Sequence, residues 1–175
     1  IYIYFIINTF LIILLMKQLS IIICMLFCSI VFSQKSVPNS TLFTLDGKSL
    51  KVLDEISKNK ITVLSFWATW CVPCINELDA ISEIYDEWQE TSNMELIAIS
   101  TDDSRTQKRI RPMVNGKDWP YKILLDKNQE LKRALNISTI PQTYILKGTE
   151  IIYIHSGYSP GVEDELFEVI QKNKN

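Results

Sequence analysis

The chain has 175 residues, 47% of them hydrophobic, with 18 basic and 20 acidic side chains and a net charge of −2. That is one domain's worth of sequence. The near-neutral, slightly acidic balance gives no reason to expect a nucleic-acid partner.

Residues 1–32 carry a single charge, Lys17, in a run dominated by Ile, Leu, Phe and Tyr, and the chain begins with Ile rather than Met. Read from Met16, "MKQLSIIICMLFCSIVFSQ" has a basic start, an apolar core, and Val31 and Ser33 at the −3 and −1 positions before Gln34. That is the pattern of a secretory signal peptide over 1–33; residues 1–15 would then be upstream sequence outside the protein. The rival is an uncleaved membrane anchor, since ~20 apolar residues span a bilayer, but Lys17, Gln18 and Ser20 interrupt the run. A lipoprotein is disfavoured, because Cys24 and Cys28 follow Ile23 and Phe27 rather than a small residue. Each reading exports the domain that begins near Gln34, to the periplasm or cell envelope, and leaves the N-terminus as its only expected tie to a membrane. Of the 18 basic residues only Lys17 lies in 1–33, so the remainder keeps 17 against 20 acidic ones, or −3. It also keeps two cysteines, Cys71 and Cys74.

After a polar linker, "QKSVPNS" (34–40), the domain is expected over 41–175. "TLFTLDGKSLKV" (41–52) reads as a hairpin turning at Asp46-Gly47, and "LDEISKNK" as one short helical turn. "ITVLSFW" (61–67) is nearly continuous apolar and β-branched sequence, as in a strand buried on both faces. From Cys71 the period changes: Cys74, Leu78, Ile81, Tyr85 and Trp88 recur every three or four residues, an amphipathic helix of about five turns. "MELIAIS" (94–100) is a second buried strand. "DSRTQKRIRPMVNG" (103–116) reads as a helix capped by Asp103 or Ser104, kinked at Pro112 and ended by Gly116. "YKILLD" (121–126) is a third strand and "NQELKRALNI" a short helix. "PQTYILK" (141–147) and "EIIYIHS" (150–156) form an antiparallel hairpin across Gly148-Thr149, and "GVEDELFEVIQKNK" closes the chain as a helix with Leu166, Phe167, Val169 and Ile170 available for burial. The order implies an α/β sandwich around a mixed central sheet.

The Cys-x-x-Cys in "SFWATWCVPCINE" has three possible roles. As a structural staple it is weak: a domain of this size can bury a core without disulfides, and so short a loop constrains little chain entropy. A closed zinc site needs four ligands, and the domain offers two Cys and His155, so no metal is expected. Redox chemistry makes a geometric demand that this spacing meets. A first cysteine at a helix N-terminus has its thiolate stabilised by unpaired backbone N–H groups and the helix dipole. The second, one turn on and core-facing, is shielded yet near enough to resolve a mixed disulfide. Pro73 costs little in the first turn. Pro141, after Ile140, heads the penultimate strand, where a proline removes no interior ladder bond. Trp70, beside Cys71 in a loop, suits an apolar rim for a substrate peptide, whereas Trp67 reads as core. His155 reads as a surface strand residue and receives no role.

Taken together, "FWATWCVPC", Glu77 three residues past Cys74, "TIPQTY", "LDGKSL" and the "GY" before the last helix resemble the thioredoxin superfamily. Within it they are similar to the exported TlpA/ResA-like thiol-disulfide oxidoreductases, over roughly 41–172. The resemblance implies a thioredoxin-like three-layer sandwich with an N-terminal hairpin and an inserted helix–strand unit at about 103–125. It implies that the redox-active Cys71–Cys74 disulfide is the only redox group, with no further cofactor. Pro141 would be cis and face the cysteines, and Ile140 would help hold an extended substrate. Expected catalytic residues are Cys71, Cys74 and Glu77; expected substrate contacts are Trp70, Val72, Pro73, Ile140 and Pro141.

One departure stands out. Where thioredoxin has a buried Asp to take the proton of the buried thiol, this chain has Ser65, which is no base near neutral pH. Glu77 matches a Glu that affects thiol chemistry in the ResA-like branch, since a carboxylate one turn from Cys74 disfavours a nearby thiolate and can relay its proton. The bland alternative is an exposed helix residue. Val72-Pro73 holds no basic group, which favours a reductant acting on exported protein thiols or disulfides, with apocytochrome c one such client and a membrane thiol relay of the DsbD/CcdA type as electron donor. The rivals are a peroxiredoxin-like peroxidase, whose Thr three residues before the cysteine is here Ala68, and a redox-inert binding module.

Overall fold

The computed structural model describes residues 36–174, together with Ile3 and residues 11–20. The chain divides into two units, 1–34 and 35–175. In the first, residues 11–20 are helical, and among the described residues no helix is long and apolar enough to cross a membrane. Val31, Ser33, Gln34, Cys24 and Cys28, on which the signal and lipoprotein readings turn, lie outside the described residues.

In the second unit β1 (Thr41–Phe43) and β2 (Ser49–Lys51) form the expected hairpin. Gly47 takes a left-handed backbone (φ 92°) in its turn, which glycine adopts at no steric cost. There follow α1 (Val52–Glu55), β3 (Ile61–Trp67), α2 (Val72–Thr91), β4 (Met94–Ser100), α3 (Ile110–Lys117), β5 (Lys122–Leu125), α4 (Glu130–Ala134), β6 (Gln142–Lys147), β7 (Glu150–Ser156) and α5 (Val162–Asn173). The sheet order is β2-β1-β5-β4-β3-β6-β7. β3, β4 and β5 run parallel, and β1, β6 and β7 pair antiparallel with their neighbours.

All seven residues of β3 are buried, because β4 and β6 flank it and helices cover both faces. Its side chains alternate between two cores, as the period of a strand requires. Ile61, Val63 and Trp67 pack with Leu78, Ile81, Tyr85 and Trp88 of α2 and Leu166 and Ile170 of α5. Leu64 and Phe66 pack with Val52 of α1 and Leu131 of α4. Helix, sheet, helix: the three-layer sandwich is as expected. On α5, Phe167 is only partly buried but stacks on Trp88 at 5.6 Å.

Two expectations need correction. Residues 36–40, expected as a linker, are packed on the domain: Val37 is buried, its N–H donates to the Thr149 carbonyl at 3.0 Å, and Ser36 bridges to Glu150. The single apolar residue of a polar stretch, beside the free edge of β7, is enough to hold it there. The helix expected over 103–116 begins later. Asp103 folds a local turn instead of capping it, accepting from the Arg105 backbone N–H at 2.9 Å, and a 3-10 turn (Gln107–Arg109) precedes α3. Pro112 then falls in the first turn of α3, where its missing N–H has no intrahelical acceptor to lose, so no kink is required. Gly116 lies inside α3, and Asp118 in the left-handed region (φ 52°) ends it.

The inserted α3–β5 unit does more than extend the sheet. Its Trp119 and Tyr121 pack edge-on against Trp67 and Tyr85, and Asp79 of α2 accepts from Trp119 Nε1 at 2.9 Å while pairing with Lys117. The insert thereby braces α2. Because Ile81 is fully buried in the middle of the α2 face, Ile81→Ala is expected to lower stability by about 2–5 kcal/mol, read as a shifted midpoint in urea unfolding with unchanged slope.

Candidate functional site

β3 delivers the chain to the C-terminal edge of the sheet, and four residues later α2 begins with Cys71 as its N-cap. The loop is held from both sides. Cys71 N–H donates to the Ala68 carbonyl at 3.0 Å. Thr69 donates to Asp102 twice, from its backbone N–H at 2.9 Å and from Oγ1 at 2.7 Å. Asp102 is buried, also accepts from Ser100 Oγ at 2.9 Å, and so ties the loop to the end of β4. A buried carboxylate needs such donors to offset its desolvation. Sequence reading missed this latch; the clue was the polar run "STDD" directly after a buried strand, at the sheet edge where the cysteine loop must also lie.

Cys71 and Cys74 are joined in a disulfide with Cα atoms 5.3 Å apart. The Cys74 backbone N–H donates to the Cys71 sulfur at 3.3 Å. It is one of the first-turn N–H groups that lack a carbonyl partner, and when Cys71 is a thiolate the same bond stabilises the charge. Cys71 is 5% exposed and Cys74 is fully buried. Around Cys71, Trp70 (58%) and Val72 (64%) are exposed apolar side chains, and Pro73 is exposed in the first turn. From the other side of the sheet's edge the Ile140 carbonyl oxygen lies 3.8 Å from the Cys71 sulfur. Ile140 is half-buried, Pro141 is buried, and the bond between them is cis. The structure therefore brings Cys71 against both Cys74 and the Ile140 carbonyl, with Trp70, Val72 and Pro73 exposed beside it.

Glu77 is not an exposed helix residue. It is fully buried on the core-facing side of α2, one turn beyond Cys74 on the same stripe. Its Oε1 accepts from Thr143 Oγ1 at 2.5 Å and from Ser65 Oγ at 3.5 Å, while Oε2 is buried with no hydrogen-bond partner among the described residues. Burial pushes the carboxyl up to about 7, the two hydroxyls working against the shift and Glu163 adding to it. Ser65 stands where a buried acid was expected and instead donates to the acid that has moved to the helix. Trp67 is fully buried core, and His155 is a half-buried strand residue.

The model of the AhpC/TSA family matches residues 34–155. The chain belongs to the AhpC/TSA family. Among its relatives, the thioredoxin-like protein YneN of Bacillus subtilis (strain 168) is 31% identical over 125 residues, 70% of this chain and 71% of that protein. The thiol-disulfide oxidoreductase ResA of Bacillus anthracis is 29% identical over 112 residues, 64% of this chain and 62% of that protein. A solved thioredoxin-like protein from Porphyromonas gingivalis is 36% identical with a TM-score of 0.69, covering 78% of this chain and 90% of that one. This AhpC/TSA member has the thioredoxin-like fold, and its enzyme class is thiol-disulfide oxidoreductase.

The raised acidity range of Glu77 makes stability depend on pH. A carboxyl that titrates near 7 when folded and near its ordinary value when unfolded binds more protons in the native state between those limits. Stability conferred by the protonated form is thus complete below about 4.5 and lost as pH rises towards about 7. Wild type is expected to lose up to about 3 kcal/mol over that window, and Glu77→Gln to remove the slope, measured by urea unfolding at a series of pH values.

Proposed function

We propose that this family member is exported and works as a reductant of disulfides in exported proteins. Cys71 as thiolate attacks a substrate disulfide, forming a mixed disulfide and expelling one substrate thiolate. Cys74 gives its proton to Glu77 and attacks the Cys71 sulfur, which restores the Cys71–Cys74 bond and releases the second substrate thiol. The single observation that carries this reading is the bonded cysteine pair at the N-terminus of a 20-residue helix, with a backbone N–H aimed at the Cys71 sulfur.

The reducing direction rests on what surrounds that sulfur. Val72 and Pro73 are exposed and uncharged, so the thiolate is stabilised by helix N–H groups without help from a neighbouring cation. A less stabilised thiolate favours the disulfide form of this protein and makes its dithiol the better donor. The apolar rim of Trp70 and Val72, the Val72-Pro73 pair and the strand start at Ile140-Pro141 supply a cradle for an extended apolar peptide around the bond to be cut. Export rests on the charge and apolar pattern of residues 16–34. An apocytochrome c is a fitting client and a membrane thiol relay of the DsbD/CcdA type a fitting electron donor, both by family resemblance. Against a peroxidase stands Ala68, buried and without a hydroxyl three residues before Cys71.

Equilibration with glutathione and trapping by Cys74→Ser test the reading together. The expected potential is well below that of a strong oxidant such as DsbA (~−120 mV), the wild type should reduce insulin, and Cys74→Ser should accumulate mixed disulfides through Cys71. A potential near ~−120 mV sinks the reducing direction, and wild type inert towards insulin sinks the exchange reaction itself.

A further inference from the structure

The acid that serves Cys74 is held by a strand on the far side of the cysteine loop. Thr143 lies on β6 two residues past Pro141, and Ser65 is its register partner on β3. Cross-strand partners project to the same face, so both hydroxyls reach one oxygen of Glu77. The two bonds differ: Thr143 donates at 2.5 Å, Ser65 at 3.5 Å. The first is in the range of a charge-assisted hydrogen bond and the second is at the limit of one.

The remaining groups around Glu77 offer the carboxylate little help. Glu163 on α5 opposes its charge. Tyr158 in the loop before α5 and Tyr121 ahead of β5 face it as phenols whose own ionisation burial disfavours. Tyr121 spends its hydroxyl on the Leu78 carbonyl at 2.7 Å. On its own helix, Asp79 is engaged by Lys117 and Trp119. His155 on β7 is the register partner of Thr143 and is half-buried. The Thr143 hydroxyl is thus the strongest stabiliser of ionised Glu77 in its surroundings.

We propose that Thr143 is a positioning residue for the resolving step: its hydroxyl aims and stabilises the Glu77 carboxylate that accepts the Cys74 proton. This rests on the reading of Glu77 given above. In the step, the Cys74 S–H bond breaks and the proton passes to Glu77. The electron pair left on sulfur forms the bond to Cys71, and the substrate sulfur leaves with the electrons of the mixed disulfide. The segment that runs from Ile140 into β6 then carries both the backbone carbonyl beside Cys71 and the hydroxyl that holds the acid for Cys74.

The test is a carboxyl NMR titration of Glu77 in the reduced full chain, paired with the pH profile of Cys74 reactivity. Thr143→Val removes a donor to the charged form, so the Glu77 midpoint should rise by about one pH unit, a tenfold fall in its acid constant. The Cys74 profile should move the same way, and Thr143→Ser should restore both. Thr143→Ala, which lacks the methyl that valine puts in place of the hydroxyl, should match Thr143→Val and excludes crowding as the cause. On a Glu77→Gln background Thr143→Val should shift the Cys74 profile no further. An unchanged Glu77 midpoint in Thr143→Val, or an equal shift of the Cys74 profile with and without Glu77, overturns the role of Thr143. A Cys74 profile unmoved by Glu77→Gln alone instead overturns the reading of Glu77 as acceptor, and the resolving role of Thr143 with it.

Discussion

A carboxyl group fully buried on the core-facing side of α2, against the Ser65 and Thr143 hydroxyls of β3 and β6, is the constraint on which the site depends. Removing Glu77 from water disfavours its charge by more than its two hydroxyl donors restore, and its acidity moves to about 7 as a result. A group at that value holds its proton about half the time near neutral pH, which suits a proton exchanger better than an ordinary surface carboxylate. Its burial has structural causes: α2 carries it on its core-facing side, and β3 and β6 meet it with Ser65 and Thr143. The fold therefore sets the acidity of Glu77 by excluding water from it, and on the proposed mechanism this acid, one turn away, serves Cys74.

The same architecture treats the two sulfurs differently. Cys71 sits at the N-cap, where the free N–H groups of a 20-residue helix converge and an apolar rim meets solvent. Cys74 is inside the core cluster and fully shielded. On the proposed mechanism the sulfur at the helix N-terminus, whose thiolate the N–H groups stabilise, attacks, and the shielded one resolves the mixed disulfide that forms next to it. The Asp102–Thr69 latch and the bracing of α2 by Trp119 keep the loop and the helix in fixed relation, so the difference is maintained without any charged residue between the cysteines.

Much of this was legible in the residues, and the reasons for success and failure are physical. β3 and β4 were readable because doubly covered strands are continuous apolar runs, and α2 because its apolar stripe keeps helical period over 20 residues. The segment after β4 misled because Asp103 offers the same side chain to a local turn as to a helix cap, and only the observed bond to Arg105 separates the two. Val37 is a single apolar residue in a polar stretch, too weak a pattern to announce its burial. Within the site, the Cys-x-x-Cys and the proline strand were visible as local patterns. Whether Glu77 was exposed or buried was not, since its partners Ser65 and Thr143 are 12 and 66 residues away in the chain. Asp102 escaped for the same reason: its partner Thr69 is 33 residues away, joined to it only by the parallel pairing of β3 and β4.

The central claim, that the buried acid takes the proton of the buried thiol, is tested most directly by the rate at which Cys74 resolves a preformed mixed disulfide on Cys71, followed against pH. A relay through Glu77 predicts a rate that rises through an inflection near 7 in the wild type. In Glu77→Gln that inflection should vanish and the rate near neutral pH should fall by about 100-fold, the low end for a positioned general base. A Glu77→Gln protein that keeps both the wild-type rate and its inflection would contradict the claim.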